Sequence, residues 1–325
     1  MNIIDSIKAT LKPELELFDK TLVSCLQTDN PILEGINGYI FQRAGKKLRP
    51  VLVMLAARMA GGGVSMAGIH ASIAIELLHT ATLVHDDVID DTLERRGSPS
   101  VNARWGNKVA VLSGDYMLST ALLQVAKTGN PEILQAISFI GMQMSDGELL
   151  QLNTTQQTRI SEEEYFSIIR KKTAYLFSVC AEVGAISGGA TKQQTNDLKK
   201  YGEYLGLCFQ IRDDIFDYFE QGDLGKPTGN DVRDGKVTLP LIYALRHAST
   251  EEREKVVTWI NLKNFSPENI EFISRFAREN GGVDYAIRCM EDFKNKATDA
   301  LRSFENNETK QALIDCVTFA VKRKR

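Results

Sequence analysis

Two clusters of aspartates carry the strongest chemical signal in the sequence. They share the spacing D-D-x-x-D and consist of Asp86, Asp87 and Asp90 and of Asp213, Asp214 and Asp217. On a helix these positions lie within about one turn, so each cluster directs three carboxylates into one small volume. A single such cluster has about even odds of being a solvated helix end, but two clusters inside apolar helices favour a bound cation.

The ligand type narrows the choice of cation. Carboxylates without nearby cysteine, and with few histidines, select hard ions such as Mg²⁺ or Mn²⁺ over Zn²⁺. Mg²⁺ completes its coordination shell with water and phosphate oxygens. The pattern therefore predicts a metal-bridged diphosphate clamp between two helices.

Basic residues occur at loop-like positions beside Gly, Pro or Thr. They fall in segments 45–50, 94–97, 171–173, 225–227 and 235–238. Paired arginines suit bidentate phosphate contacts, and lysine supplies a mobile point charge. Each segment alone is ordinary surface charge, but together with two metal-binding clusters they indicate two phosphorylated substrates.

The elements that must position these groups are helical. The chain has 325 residues, 43% of them apolar, and a formal net charge of −3. This composition excludes a disordered chain, a collagen and a coiled-coil rod, and it argues against a nucleic-acid partner. Apolar residues recur every three or four positions around residues 71–89 and 197–219, and the eight prolines mark helix boundaries. We predict one all-α domain over residues 1–325, a bundle of roughly ten to fourteen helices around a deep central cavity.

The compartment is predicted from three negative signals. The five cysteines are scattered without a C-x-x-C pair, which indicates reduced thiols. The N-terminus shows no signal-peptide pattern. The longest uncharged run, residues 59–75, is interrupted by glycines and is too short to span a bilayer. We therefore expect a cytoplasmic protein without a transmembrane segment.

These residues resemble a known family, the trans-isoprenyl diphosphate (polyprenyl) synthases. The similarity covers about residues 40–245. It consists of matching motifs in the family order: residues 45–50, 78–87, 95–99, Gly114-Asp115, 209–214, 225–227 and 234–240. The resemblance implies an isoprenoid synthase fold, a homodimer and an Mg²⁺-dependent prenyltransferase.

The resemblance also assigns roles to residues. It implies that Asp86, Asp87, Asp90, Asp213, Asp214 and Asp217 hold three Mg²⁺ ions, which Mn²⁺ can replace, on an allylic diphosphate such as farnesyl or geranyl diphosphate. The same diphosphate would contact Arg95, Lys172, Lys226 and Lys236, with Thr173 and Gln210 along the reacting carbons. Isopentenyl diphosphate would contact Lys46, Arg49, His79 and Arg96.

The implied reaction needs no side-chain nucleophile. Metal and basic groups neutralise the leaving diphosphate as the allylic C–O bond ionises, the alkene of isopentenyl diphosphate attacks, and a proton is lost. The cation must be kept from water, which explains acidic clusters at the mouth of an apolar cavity.

Product length should depend on the depth of this cavity beneath the first cluster. Ala81 and Thr82 lie about one helical turn before Asp86, where short-chain members of the family carry bulky aromatics. Their small size predicts a long all-trans product, C30 or longer, of the kind used for quinone side chains by membrane enzymes. Met117 and its neighbours Tyr116, Thr120, Ala121 and Gln124 are candidates for the far end. Alternatively, the small side chain of Ala81 only permits close packing of neighbouring helices.

Three alternatives stay open on the sequence alone. The first is a shorter-chain farnesyl or geranylgeranyl synthase. The second is a class I terpene cyclase, which usually carries a different second metal motif and needs no basic site around Lys46 and Arg49. The third is a non-catalytic subunit of a heteromeric synthase, which tends to lose one aspartate cluster.

Overall fold

The structure is a computed structural model that describes residues 3–42, 45–154, 160–219 and 229–323. The first eight helices are α1 (Ile3–Thr10), α2 (Lys12–Cys25), α3 (Pro31–Phe41), α4 (Leu48–Met59), α5 (Met66–Ile89), α6 (Val101–Trp105), α7 (Asn107–Lys127) and α8 (Pro131–Thr154). The next nine are α9 (Glu162–Ile169), α10 (Tyr175–Ser187), α11 (Lys192–Phe216), α12 (Asn230–Arg233), α13 (Leu239–His247), α14 (Thr250–Asn261), α15 (Pro267–Glu279), α16 (Gly282–Ala300) and α17 (Glu308–Lys322).

Two short elements interrupt this all-α architecture. A π-helix, Arg170–Ala174, joins α9 to α10, and β1 (Glu94–Arg95) pairs antiparallel with β2 (Ser98–Pro99). The predicted all-α class is confirmed. The seventeen α-helical segments of the described ranges exceed the predicted ten to fourteen. Part of the excess comes from α6 and α12, which have five and four residues and leave no periodic signal.

Several helices begin at prolines, as the sequence predicts. Pro31, Pro131 and Pro267 are each the first residue of a helix, where a missing N–H costs nothing. The side chain of Ser65 caps α5 by accepting from the Gly68 amide, and Ser161 forms a capping box with Glu164 at the start of α9.

The chain divides into two compact units. The first comprises Met1–Gly141, Val179–Lys199 and Asn306–Leu313, and the second comprises Met142–Ser178, Lys200–Glu305 and Ile314–Arg325. The single domain expected from the sequence stays a prediction.

In the first unit, α5 is the interior helix. It packs against α7, α4 and α2, and its apolar residues are buried on nearly every side, as Ala71, Ile73 and Leu77 show with 0% exposure. Helices α5 and α7 are also long and apolar enough to cross a membrane, with 61% and 44% of their most apolar windows buried. Core helices of soluble proteins share this property, so it is weak evidence for a membrane segment.

In the second unit, α11 carries the second aspartate cluster at its C-terminal end. Its predicted apolar face is buried: Tyr201, Leu205, Cys208, Ile211 and Ile215 are at most 4% exposed. Elsewhere in this unit α13 packs against α16 and α15. The two helices that bear the aspartates are thus each fixed by a buried apolar face.

Candidate active site

The first aspartate cluster lies at the C-terminus of α5. Asp86 is half-buried in the last turn, and Asp90 is the exposed C-cap residue. The partial negative charge of a helix C-terminus disfavours carboxylates there. A bound cation would remove this electrostatic penalty.

Asp87 in the same cluster already has a protein partner. Its carboxylate is buried and accepts hydrogen bonds from Arg95, at 2.9 and 2.8 Å from Nε and 2.7 Å from Nη2. Arg95 is held by the β1–β2 hairpin, whose turn residues Arg96 and Gly97 have φ of 54° and 73°. Asn102 adds a hydrogen bond of 3.0 Å to the Asp87 carbonyl. The hairpin is therefore fastened to the end of α5 through Asp87.

A pocket beside this cluster contains two of the four residues predicted to contact isopentenyl diphosphate, His79 and Arg96, whereas Lys46 and Arg49 are not among its lining residues. His79, Arg95 and Arg96 line it, together with Gly45 and the apolar residues of α3 and α5. The Nδ1 atom of His79 is buried and has no hydrogen-bond partner among the described residues. Burial, followed by the positive charge of Arg49, holds the pKa of His79 well below its usual value, so the ring is neutral at pH 7. A neutral imidazole among arginines suits an anionic ligand.

The second aspartate cluster lies at the C-terminus of α11. Asp213 forms an ion pair of 2.6 Å with Arg323 and has a side chain that is 41% exposed. Asp217 is buried and accepts from the amides of Asn230 and Asp231 at 3.0 and 2.8 Å. These two carboxylates are therefore anchored by Arg323, which directly follows α17, and by the start of α12.

Asp214, in the same cluster, lies at the centre of a buried hydrogen-bond chain. The Tyr165 hydroxyl donates to its Oδ2 at 2.5 Å, and Gln210 Nε2 donates to its Oδ1 at 2.8 Å. The Thr173 hydroxyl in turn donates to Gln210 Oε1 at 2.8 Å, which fixes the amide orientation. Burial, followed by the charge of Asp231, raises the pKa of Asp214 well above its usual value.

One pocket of the second unit collects several of the residues predicted to contact the allylic substrate, whereas Arg95 lines the pocket of the first unit. Lys172, Thr173, Gln210, Asp214 and Lys236 all line it. Lys172 currently pairs with Glu148 at 2.5 Å and donates to Gln151 at 2.9 Å. A diphosphate entering this pocket would compete with Glu148 for the ammonium group.

The π-helix explains how Lys172 and Thr173 reach this pocket. In a π-turn the backbone bonds run from residue i to i+5, so the Tyr175 amide bonds to the Arg170 carbonyl and one residue bulges out. Such turns are frequent at functional sites. Periodicity over residues 162–187 gives no hint of it.

Sequence reasoning missed two lining residues of this pocket, Tyr165 and Asp231. Tyr165 belongs to no motif in the sequence, and only the hydrogen bond of its buried hydroxyl to Asp214 indicates a role. Asp231 had a signal, because it precedes the Asp234-Gly235-Lys236 motif by one helical turn. Lys226 lies outside the described residues. Lys46 is exposed and lies just before α4.

The geometry of the carboxylates limits how many of them one metal ion can contact. Within residues 3–42, 45–154, 160–219 and 229–323, no group of three or more Asp, Glu, His or Cys side chains is close enough to hold an ion. The reason is rotational, because residues i and i+4 lie about 40° apart on a helix while residue i+1 is about 100° away. Asp86 and Asp90 therefore lie on one face of α5, and Asp87 lies outside that face. Two carboxylates still fit Mg²⁺, which normally takes one or two and completes its shell with water and phosphate.

The predicted chain-length residues occupy packed positions in the first unit. Ala81 and Met117 are both fully buried, and Thr82 is half-buried with its hydroxyl on the His79 carbonyl at 2.8 Å. Their role in setting product length stays a prediction.

Comparison with known proteins shows the family of this chain. The profile of the polyprenyl synthetase family matches residues 30–275. The chain therefore belongs to the polyprenyl synthetase family, a family of trans-prenyltransferases.

Relatives of this chain make products of different lengths. Octaprenyl diphosphate synthase of Haemophilus influenzae is 35% identical over 98% of this chain and 97% of its own length. A decaprenyl diphosphate synthase structure from Rhodobacter capsulatus is 32% identical with a TM-score of 0.94, covering 99% of both chains. A geranylgeranyl pyrophosphate synthase structure from Bacteroides thetaiotaomicron is 39% identical with a TM-score of 0.86, covering 99% of this chain and 100% of its own.

Proposed function

We propose that this protein condenses isopentenyl diphosphate successively onto an allylic diphosphate and releases an all-trans polyprenyl diphosphate of C30 or longer. One observation carries the proposal: in each unit, carboxylates at a helix C-terminus adjoin a pocket lined by basic residues. Full-length similarity to octaprenyl and decaprenyl diphosphate synthases supports the long product.

Within this proposal the acidic residues divide into two groups. Asp86, Asp90 and Asp213 keep solvent access and would contact Mg²⁺, up to three ions, or Mn²⁺ in its place. The buried carboxylates of Asp87, Asp214 and Asp217, also predicted as ligands, would support them through their present hydrogen bonds. When bound, the metal supplies positive charge to the leaving diphosphate.

The two pockets would take different substrates. The pocket with His79 and Arg96, together with Lys46 and Arg49, would bind isopentenyl diphosphate. Lys172, Lys236 and Lys226 would bind the allylic diphosphate. The contact of Arg95 with that diphosphate, which the resemblance implies, stays a prediction because Arg95 lines the pocket of His79. The Thr173 hydroxyl donates to Gln210, and the Gln210 amide donates to Asp214, so both groups are held in fixed orientations and can border a carbocation as fixed dipoles.

Product analysis tests the proposal directly. The purified protein is incubated with Mg²⁺, isopentenyl diphosphate and either farnesyl or geranyl diphosphate, and the products are separated by chromatography. Linear products of C30 or longer support the proposal. Geranylgeranyl diphosphate as the end product would favour the second candidate, a short-chain synthase, to which the 39% identical structure points. Cyclic hydrocarbons would indicate a terpene cyclase, and no turnover would indicate a non-catalytic subunit.

Ala81→Phe is expected to shorten the product, because its ring would occupy the passage one turn below Asp86. Ala74 is equally buried and lies two turns deeper on the same face, about 10 Å along α5. Ala74→Phe should therefore stop elongation at a longer chain than Ala81→Phe. Chromatography of both variants checks this order. An unchanged distribution with Ala81→Phe would assign Ala81 to helix packing alone.

The same proposal includes a homodimer formed through α7. This helix is apolar on two sides: one is buried, and the other exposes Val111, Leu112, Leu122 and Leu123 at 40–66% of their surface. Residues eleven apart fall within about 20° of each other, so these four form one stripe along the helix. Light scattering should give twice the chain mass of 36.2 kDa, and Leu112→Glu should reduce it toward one chain. A wild-type mass of one chain would contradict the dimer.

The cellular setting belongs to the proposal as well. A net charge of −3 offers no attraction to nucleic acid, and we place the protein in the cytoplasm. Its product would pass to membrane enzymes that attach quinone side chains.

A further inference from the structure

The Gly114-Asp115 motif has no part in the proposed chemistry, yet it lies against the residue that precedes the first aspartate cluster. A Cβ atom on Gly114 would overlap the His85 ring at Nε2, so only glycine lets the imidazole lie on α7. His85 Nε2 is 3.2 Å from the Val111 carbonyl oxygen and 3.5 Å from Asp115 Oδ1. Since a carbonyl oxygen only accepts, Nε2 carries the proton and donates it to α7.

His85 and Asp87 flank Asp86 and are anchored to different elements. His85 is fastened to α7, while Asp87 is fastened to the β1–β2 hairpin through Arg95. At about 100° per residue, these two neighbours lie about 200° apart around α5, with Asp86 midway between them. Asp90 points within about 40° of Asp86. The last turn of α5 is therefore held by hydrogen bonds on two nearly opposite sides. The side between them carries the solvent-accessible carboxylates of Asp86 and Asp90.

We propose that His85 is a positioning residue, which sets the direction of Asp86 and Asp90 by preventing the end of α5 from rolling. Without the His85 contact, this turn would lose its hydrogen bond to α7 and would be held by the hydrogen bonds of Asp87 and by the non-directional packing of Val88. The carboxylates would then sample orientations that fit a metal ion poorly. The proposal rests on the proposed function in one respect, namely that Asp86 and Asp90 bind a divalent cation.

Binding of Mn²⁺ to the purified full-length protein, followed by electron paramagnetic resonance, tests this role without turnover. His85→Leu keeps a side chain over Gly114 but removes the donor, and it should weaken Mn²⁺ binding by about tenfold or more. His85→Gln, whose amide can reach the same carbonyl, should recover most of the affinity. In the steady-state assay kcat should fall for His85→Leu while the KM for isopentenyl diphosphate stays within about twofold, because the His79 pocket is untouched.

His70 supplies the matched control. It joins the same two helices through a 2.9 Å hydrogen bond to Gln124, about 22 Å along α5 from His85. His70→Leu should leave Mn²⁺ binding unchanged, whereas Gly114→Ala, which displaces the ring without removing it, should reproduce His85→Leu. Wild-type affinity in His85→Leu, equal weakening in His70→Leu, or no Mn²⁺ binding by the wild type would each overturn the inference. Normal Mn²⁺ binding with no polyprenyl product would instead overturn the proposed function.

Discussion

Replacing Arg95 with methionine is expected to lower the free energy of unfolding by about 3 kcal/mol. The Asp87 side chain is 3% exposed, and Arg95 donates three hydrogen bonds to its carboxylate. Removing the guanidinium leaves a carboxylate buried without its counter-charge, which costs more than the pair contributes when intact. The lower end of the usual range applies because the Arg95 side chain is 37% exposed.

The two single variants should differ in a way that identifies this cause. Asp87→Asn leaves Arg95 able to turn toward solvent, so its effect on stability should be small. The double variant Arg95→Met with Asp87→Asn removes both charges and should recover most of the stability lost in Arg95→Met. Urea unfolding of the three variants measures the order. If Arg95→Met and Asp87→Asn lower the free energy of unfolding equally, an unpaired buried carboxylate is not the cause of the loss in Arg95→Met.

The Arg95–Asp87 pair also allows an aspartate that supports the structure to be distinguished from one that binds metal. If Asp87 acts through the hairpin, Asp87→Asn should alter Mn²⁺ affinity less than Asp90→Asn does. A larger effect of Asp87→Asn would make it a direct ligand, as the sequence spacing alone predicts.

The fold could be predicted from the sequence because its signals are local and repeated. The buried faces of α5 and α11 follow from apolar residues at helical spacing, and Pro31, Pro131 and Pro267 mark helix starts. Helices too short for a period, α6 and α12, could not be found this way. Their boundaries depend on contacts such as the hydrogen bonds of Ser100 and Asp217, which a one-dimensional pattern does not contain.

The site was predictable in residue type and less so in geometry. Spacing singled out six aspartates, whose role as metal ligands stays a prediction, and it treated positions i, i+1 and i+4 as directed into one small volume. On α5, successive side chains point about 100° apart around the helix axis, so Asp87 points away from Asp86. It accepts hydrogen bonds from Arg95 instead. Tyr165 escaped prediction because a buried tyrosine usually fills a core, and only its hydrogen bond to Asp214 distinguishes it. Lys172 and Thr173 were identified by resemblance, while the π-turn that presents them leaves no signature in residue order.

That π-turn depends on how closely α11 approaches it. Gly206, Gln210 and Asp214 follow one another at four-residue spacing along α11, so they form a single row. Gln210 bonds to Thr173, and a Cβ on Gly206 would lie 2.5 Å from the Ala174 Cα. The same row therefore both touches the π-turn backbone and carries the polar groups of the pocket.

Gly206→Ala is accordingly expected to lower kcat by about 100-fold while the protein stays helical. The added methyl group meets backbone atoms, which cannot rotate away, so the π-turn must shift and take Thr173 out of register with Gln210. Steady-state kinetics measures kcat, and circular dichroism confirms helicity. Gly147→Ala should lower kcat less. Its Cβ would lie 2.8 Å from the Lys171 Cβ and 3.0 Å from the Lys172 amide nitrogen, which are longer distances than the 2.5 Å at Gly206.

Gly35→Ala is the control for glycine replacement in a helix. It lies in α3, where a Cβ would meet nothing within 4 Å, so alanine should stabilise the protein by up to about 1 kcal/mol and leave kcat unchanged. The helix propensity gain is the same at Gly206, and the difference between the two variants isolates the close approach. If Gly206→Ala were as active as Gly35→Ala, α11 could yield without moving the π-turn. The position of Thr173 would then not depend on this contact.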